Sequence, residues 1–207
     1  MSFGLEKAKD LLYWTFQNLT IINKIMKKIS LGLGFMLISL EAFSQTLPEM
    51  LIGEESINPG IDLIFEGAIK DDVSPAYKFG KETTSDIHLE VLSTWNENAP
   101  RGSAVGGFVA YLNITAKIVN ESSGKYKNVK LLPHVNLSDS FHYALNTKLP
   151  GLRSDLYSIV FTIQPPKVGD LGMHFDWREE VSASLIQEHS FTYKNLDFYK
   201  IAEASRR

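Results

Sequence analysis

Thr84-Ser85-Asp86-Ile87-His88-Leu89-Glu90-Val91-Leu92-Ser93-Thr94-Trp95 alternates between apolar and polar side chains. Ile87, Leu89 and Val91 fall on one face and Asp86, His88 and Glu90 on the other, which is the period of a half-buried β-strand. Working outward, further runs rich in β-branched and aromatic residues span 60–69, 108–119, 126–132, 156–163 and 190–198. Turn-forming clusters separate them: Asn98 to Gly102, Asn120 to Gly124, Pro150-Gly151, Pro165-Pro166 and Gly169-Asp170. Short strands at this spacing predict an all-β, antiparallel β-sandwich over 60–207, with 45–59 as a lead segment.

Composition narrows the function. The 207 residues carry a net charge of -3 with 44% hydrophobic and 22% charged residues, the balance of one globular domain plus an appendage. No long Lys/Arg run is present, so a nucleic-acid partner is not expected. The absence of cysteine excludes disulfides, thiolate zinc sites and a Cys nucleophile, leaving His, Met, Asp and Glu to hold any metal. There is no Gly-rich phosphate loop and no G-x-S-x-G elbow, and no carboxylate pair stands out, so no enzyme is expected.

Met26-Lys27-Lys28 followed by the apolar run Ile29 to Leu40 has the layout of a secretory signal, and Ala42 and Ser44 stand at the positions before a cleavage site. A spanning helix needs about 20 apolar residues, and this run is cut short by Glu41. We therefore read 26–44 as a signal peptide and 1–25 as an N-terminal extension, with translation from Met26 the favoured reading. Cleavage leaves a mature part of net charge -5 that begins at Gln45.

The histidines carry the remaining chemical signal. Of the five, His88, His134, His142 and His174 lie near predicted strand ends or turns, whereas His189 reads as a surface strand residue. Neutral imidazoles projecting from separate strands, with an acidic neighbour such as Glu90, suit copper, iron(II) or zinc. Read singly, each has a plainer account: His88 and Glu90 pair on an exposed face, His134 is a loop residue, His174 bonds Asp176.

Ser85-Asp86-Ile87-His88-Leu89-Glu90 resembles the (A/S)DIHLE element of the bacterial periplasmic iron-transport protein family. Further elements follow in the same order. Phe108 to Leu112 is similar to that family's F-x-x-PYL strand, and Leu132-Pro133-His134 through Phe141-His142-Tyr143-Ala144 to its MPM…HYG hairpin. Tyr157 to Pro165 is similar to its YELTFYISNP strand, and His174-Phe175-Asp176 to its H-V-D. The resemblance implies an immunoglobulin-like, cupredoxin-like sandwich in the periplasm and a copper or iron site formed by His88, His134, His142 and His174, with Glu90 as an adjustable carboxylate. It also implies a homodimer with the metal near its interface and delivery of iron to an inner-membrane permease.

Two departures stand out. His134 replaces a family methionine, which trades a soft thioether for a borderline imidazole and shifts preference from Cu(I) toward Cu(II), Zn or Fe(II). Asp72-Val73-Ser74-Pro75 lacks the Met and one acid of the family's iron-associated segment, leaving Asp72 and Glu90 as oxygen donors. The competing expectations are an exported binding or assembly module without metal and, more weakly, a metalloenzyme of the superoxide-dismutase kind.

Overall fold

The computed structural model describes residues 49–206; the predicted extension 1–25 and signal peptide 26–44 lie outside them. Eight antiparallel strands form the domain: β1 (Met50–Ile57), β2 (Ile61–Ala68), β3 (Ile87–Trp95), β4 (Asn113–Asn120), β5 (Tyr126–Val135), β6 (Phe141–Thr147), β7 (Leu156–Gln164) and β8 (His189–Asp197). Among the described residues, the short helices α1 (Ala76–Phe79) and α2 (Phe175–Glu180) lie in the connections and α3 (Tyr199–Glu203) follows β8. The predicted all-β antiparallel fold is what forms.

The strand order is β1-β2-β3-β6-β5-β4-β7-β8. β5 belongs to both halves: Tyr126 to Leu131 pair with β4, and Leu132 to Val135 pair with β6. Pro133, which has no N–H to donate, sits just past this changeover. The ends of the order approach each other, with the Tyr193 hydroxyl of β8 donating to Glu55 of β1 at 3.3 Å. Only glycine fits at residue 53, because a Cβ there would run into the Tyr193 ring.

Between the halves lies one core. Ile61, Leu63 and Phe65 of β2, Ile87, Leu89 and Val91 of β3, and Ile114 and Ile118 of β4 are fully buried, as are Tyr157, Ile159, Phe161 and Ile163 of β7. The Phe65 ring packs, tilted, at 4.5 Å from Phe161 and 5.6 Å from Phe191, joining the two layers. β7 alternates strictly between buried and less buried residues, as a one-sided strand must.

Four sequence expectations need adjustment. The stretch 45–59, read as a lead, contains β1, whose Glu54 and Glu55 mask it; an edge strand tolerates such charges. The strand expected over 108–119 is confined to Asn113–Asn120, because Phe108 makes a single bridge to Thr94 and Tyr111 turns the chain with a φ of 68°. The 126–132 strand runs on to Val135, and β6 was not anticipated as a strand in its own right.

Tyr143 ties that irregular crossing to the core. Its buried hydroxyl donates to Val109 O at 2.9 Å and accepts from Leu112 N at 3.0 Å. Tyr143→Phe takes the partner from the buried Leu112 N–H and leaves Val109 O with only the Ser93 hydroxyl at 3.3 Å, and should cost about 1–3 kcal/mol. Urea unfolding measures this, and a loss below about 0.5 kcal/mol would mean water replaces the hydroxyl.

Candidate metal centre

On β3, residues 88 and 90 point away from the core that holds 87, 89 and 91. The register carries this outer face across neighbouring strands. His88 pairs with Asn146 and Glu90 with Ala144 on β6, and His134 of β5 stands directly opposite His142. Three imidazoles and one carboxyl thus share one face of one sheet. Their ligand-type atoms come together: those of His88, Glu90 and His142 lie within 4.8 Å of one another. The His134 ring centroid is 5.3 Å from that of His88 and 5.7 Å from that of His142.

The alternation of β3 predicts a wet outer face, yet all four residues are buried, at 4% exposure for His88 and Glu90, 8% for His134 and 1% for His142. The 69–86 connection folds over them and contributes Asp71, Asp72, Val73, Ser74 and Phe79 to a cleft of about 350 Å³ that opens onto the cluster. Phe79 packs edge-on against His134 at 4.6 Å. Asn146 anchors this cover. Its amide nitrogen donates to Asp71 O at 2.6 Å and Gly80 O at 3.0 Å, while its oxygen accepts from Asp71 N at 3.2 Å.

Those partners fix proton positions. Two carbonyls can only accept, so the Asn146 NH₂ faces them and its oxygen faces His88 Nδ1 at 2.8 Å. His88 therefore carries its proton on Nδ1. His134 Nδ1 meets Leu132 O at 2.8 Å and His142 Nδ1 meets Ser140 O at 3.2 Å, which places their protons on Nδ1 by the same reasoning. In all three rings the lone pair is left on Nε2. This is how proteins orient imidazole for a metal, with one nitrogen bonded to a supporting group and the other open. His134 Nε2 is buried with no hydrogen-bond partner among the described residues, a costly arrangement that an electrophile would relieve.

Electrostatics agree. Burial pushes His88 down to about 4, with the neighbouring His134 and His142 adding to the fall, and burial also lowers His134 and His142. Burial pushes Glu90 up to about 8, reinforced by Asp139, Glu66 and Glu49. His142 Nε2 and Glu90 Oε2 stand 3.7 Å apart, a spacing that resembles an ion pair. Both groups are shifted toward their neutral forms, so without a cation they are a neutral pair. A dication that draws the proton off Glu90 converts the cluster into three neutral nitrogens and one carboxylate, a borderline donor set suited to Cu(II), Zn(II) or Fe(II).

His174 is not brought into this cluster. It is exposed, precedes α2 and lines a different cleft with Trp95, Trp177 and Leu185. Trp95 is seven residues along β3 from His88, on the order of 20 Å. His174 follows a Gly-containing turn, not a strand end, which is why its spacing in the sequence misleads for a single chain. His189 begins β8 and stacks on Phe191, remote from the cluster in the strand order. Sequence reasoning missed Asn146 and Arg206, which also lines the cleft. For Asn146 a signal exists: residues 142, 144 and 146 share the ligand face of β6.

Fold and centre together define an all-β protein with a covered three-imidazole, one-carboxylate candidate metal site. A family model described as Fe2+ transport protein matches residues 46–199, and the chain belongs to that family. A UPF0423 protein of Brucella abortus (strain 2308) is 25% identical over 162 residues, covering 73% of this chain and 85% of that protein. Among solved structures, a copper-bound variant of Campylobacter jejuni P19 superposes with a TM-score of 0.62 at 25% identity, covering 71% of this chain and 95% of that one. As-isolated FetP of uropathogenic Escherichia coli strain F11 gives a TM-score of 0.60 at 24% identity, covering 72% and 95%.

Proposed function

We propose that this chain is an exported periplasmic protein that binds a transition-metal ion, copper or iron with zinc as a further candidate, and supports iron uptake by passing iron to an inner-membrane permease. The observation that supports the reading is the gathering of His88, His142 and Glu90, whose ligand-type atoms lie within 4.8 Å of one another, beside His134, whose Nε2 is buried with no hydrogen-bond partner among the described residues. Membership of the Fe2+ transport protein family supports iron as the cargo. The metal is cargo here, so the site must release it. Glu90, the one donor that gains a proton when the metal leaves, is the residue through which release proceeds.

In this reading the protein is a homodimer, and His174 contributes from a second copy. Within one chain it cannot reach the cluster, while the residues flanking the histidines, Val135, Phe141 and Phe175, are exposed at 65%, 55% and 68% and suit a contact between copies.

The test is metal analysis of the purified domain beginning at Gln45, loaded with Cu(II), Zn(II) or anaerobic Fe(II) and desalted. One ion per chain is expected, with affinity falling at least about tenfold in His134→Ala. Metal-free protein whose melting temperature does not respond to any of these ions would instead favour an exported module without metal. Mixing His174→Ala with His142→Ala chains tests the shared site: mixed dimers should recover one intact site of two, and no recovery would confine the ligands to a single chain.

A further inference from the structure

The cleft over the metal cluster contains a cation of its own. Arg206 lines it and is only partly exposed, at 25% for its side chain. Its guanidinium stands 3.7 Å from Asp71 Oδ2, and its Nε donates to Ile69 O at 3.5 Å. The segment that delivers it is tied down beside the same connection: Lys70 Nζ donates to Ala202 O at 2.7 Å and to Ala204 O at 2.8 Å. Asp71 in turn is held through its backbone by Asn146, the partner of His88. A continuous chain of contacts therefore runs from Arg206 through Asp71 and Asn146 to a candidate ligand. Arg206 is also close enough to His88 and Glu90 to bear on the ionisation of both.

A guanidinium beside a cation site is an unfavourable placement for tight binding. Its repulsion scales with the charge of the bound ion, so a dication feels twice the penalty of a monocation at the same position. Asp71 offsets part of this, and the pair is a dipole at the mouth of the cleft.

We propose that Arg206 is a fixed counter-charge at the metal cleft that sets which charge state of a metal the site retains, penalising divalent ions relative to monovalent ones, with Asp71 as its opposing partner. The inference rests on the metal-binding reading above and adds a selectivity element to it. Arg206 is a positioning residue and touches no ligand. Its consequence for a cargo protein is loose retention: a donor set of three imidazoles and a carboxylate would otherwise hold Cu(II) or Zn(II) tightly, and a tethered positive charge keeps the ion releasable.

The experiment is competition titration of the domain beginning at Gln45 with Cu(II), Zn(II) and, under reductant, Cu(I), using chromophoric chelators. Arg206→Gln should tighten Cu(II) and Zn(II) by about tenfold and Cu(I) by about threefold, the logarithms standing two to one. Arg206→Lys should stay within about twofold of the parent for all three ions, because the charge is retained. Asp71→Asn should move every affinity the other way, and Asp71→Asn with Arg206→Gln should return close to the parent. The dication effect should shrink between 0.01 M and about 0.5 M salt, since the pair is partly solvated. Equal affinities in parent and Arg206→Gln, or equal fold-changes for Cu(I) and Cu(II), overturn the proposal while leaving the metal site standing. A parent domain that binds none of the ions overturns both. Matching melting temperatures of the metal-free variants confirm that the comparison is between folded proteins.

Discussion

Asn146→Ala should destabilise the metal-free domain by about 2–4 kcal/mol and weaken metal binding by about 10–100-fold, although Asn146 is no ligand. Its side chain is buried and makes four hydrogen bonds, to Asp71 N, Asp71 O, Gly80 O and His88 Nδ1. Truncation leaves two carbonyls and one amide N–H of the half-buried cover without their side-chain partner, and each such orphan that water does not reach costs about 1–3 kcal/mol. Some of that is recovered if the 69–86 connection lifts, which is why the total is put below the sum. Lifting exposes His134 and frees His88 to rotate or exchange its proton between nitrogens, so binding suffers as well. Asn146→Asp separates the two effects. It keeps an oxygen for His88 but loses the NH₂ that pins Asp71 and Gly80, so stability should fall while the His88 tautomer survives. Urea unfolding and Zn(II) titration of both variants decide the matter; a loss below 1 kcal/mol in Asn146→Ala would show that the cover is held by something else.

The same residue marks the boundary of what the sequence discloses. β3 was legible because one of its faces is apolar and the other is not, and the antiparallel class followed from similar one-sided runs such as β7. β6 was legible only as an arm of the hairpin that the resemblance implies: Phe141, Tyr143 and Leu145 alternate with His142, Ala144 and Asn146, but Ala144 interrupts the polar face over a run of seven residues that is buried on both faces along most of its length. His88 and Glu90 share a face by their spacing alone. That His134 and His142 join them depends on the register at which β5 leaves β4 for β6, a tertiary fact that no local pattern encodes. The burial of the cluster depends on a connection whose own sequence, Asp71-Asp72-Val73-Ser74-Pro75, reads as surface. His174 shows the opposite limit: the resemblance gives it a role as a ligand, while the fold of one chain places it on another cleft.

The metal-free domain should be most stable near pH 6.5 and should lose stability on either side, with the alkaline loss removed in Glu90→Gln. His88 has a folded value of about 4 against 6.5 when free, and His134 and His142 are lowered in the same direction. The unfolded chain therefore binds more protons as pH falls from 6.5 toward 4, and stability drops over that window. Glu90 works with the opposite sign. Its folded value of about 8 against 4.5 means that the native state holds a proton the unfolded chain has released, so its contribution is complete below 4.5 and is lost as pH rises through 8. Between 4.5 and 6.5 the two effects oppose each other, with His88, His134 and His142 acting together against Glu90; above 6.5 only Glu90 of these four remains. The alkaline loss is on the order of a few kcal/mol, because the Glu90 side chain is 6% exposed and little screened. Bound dication reverses that limb, since it stabilises the ionised carboxylate and its affinity climbs up to about tenfold per pH unit until Glu90 is deprotonated without help. Urea unfolding from pH 5 to 9, with and without Zn(II), reads both limbs. A flat metal-free profile above pH 6.5, or one that Glu90→Gln leaves unchanged, would show that Glu90 is already ionised in the empty cluster and is not the proton-coupled donor described above.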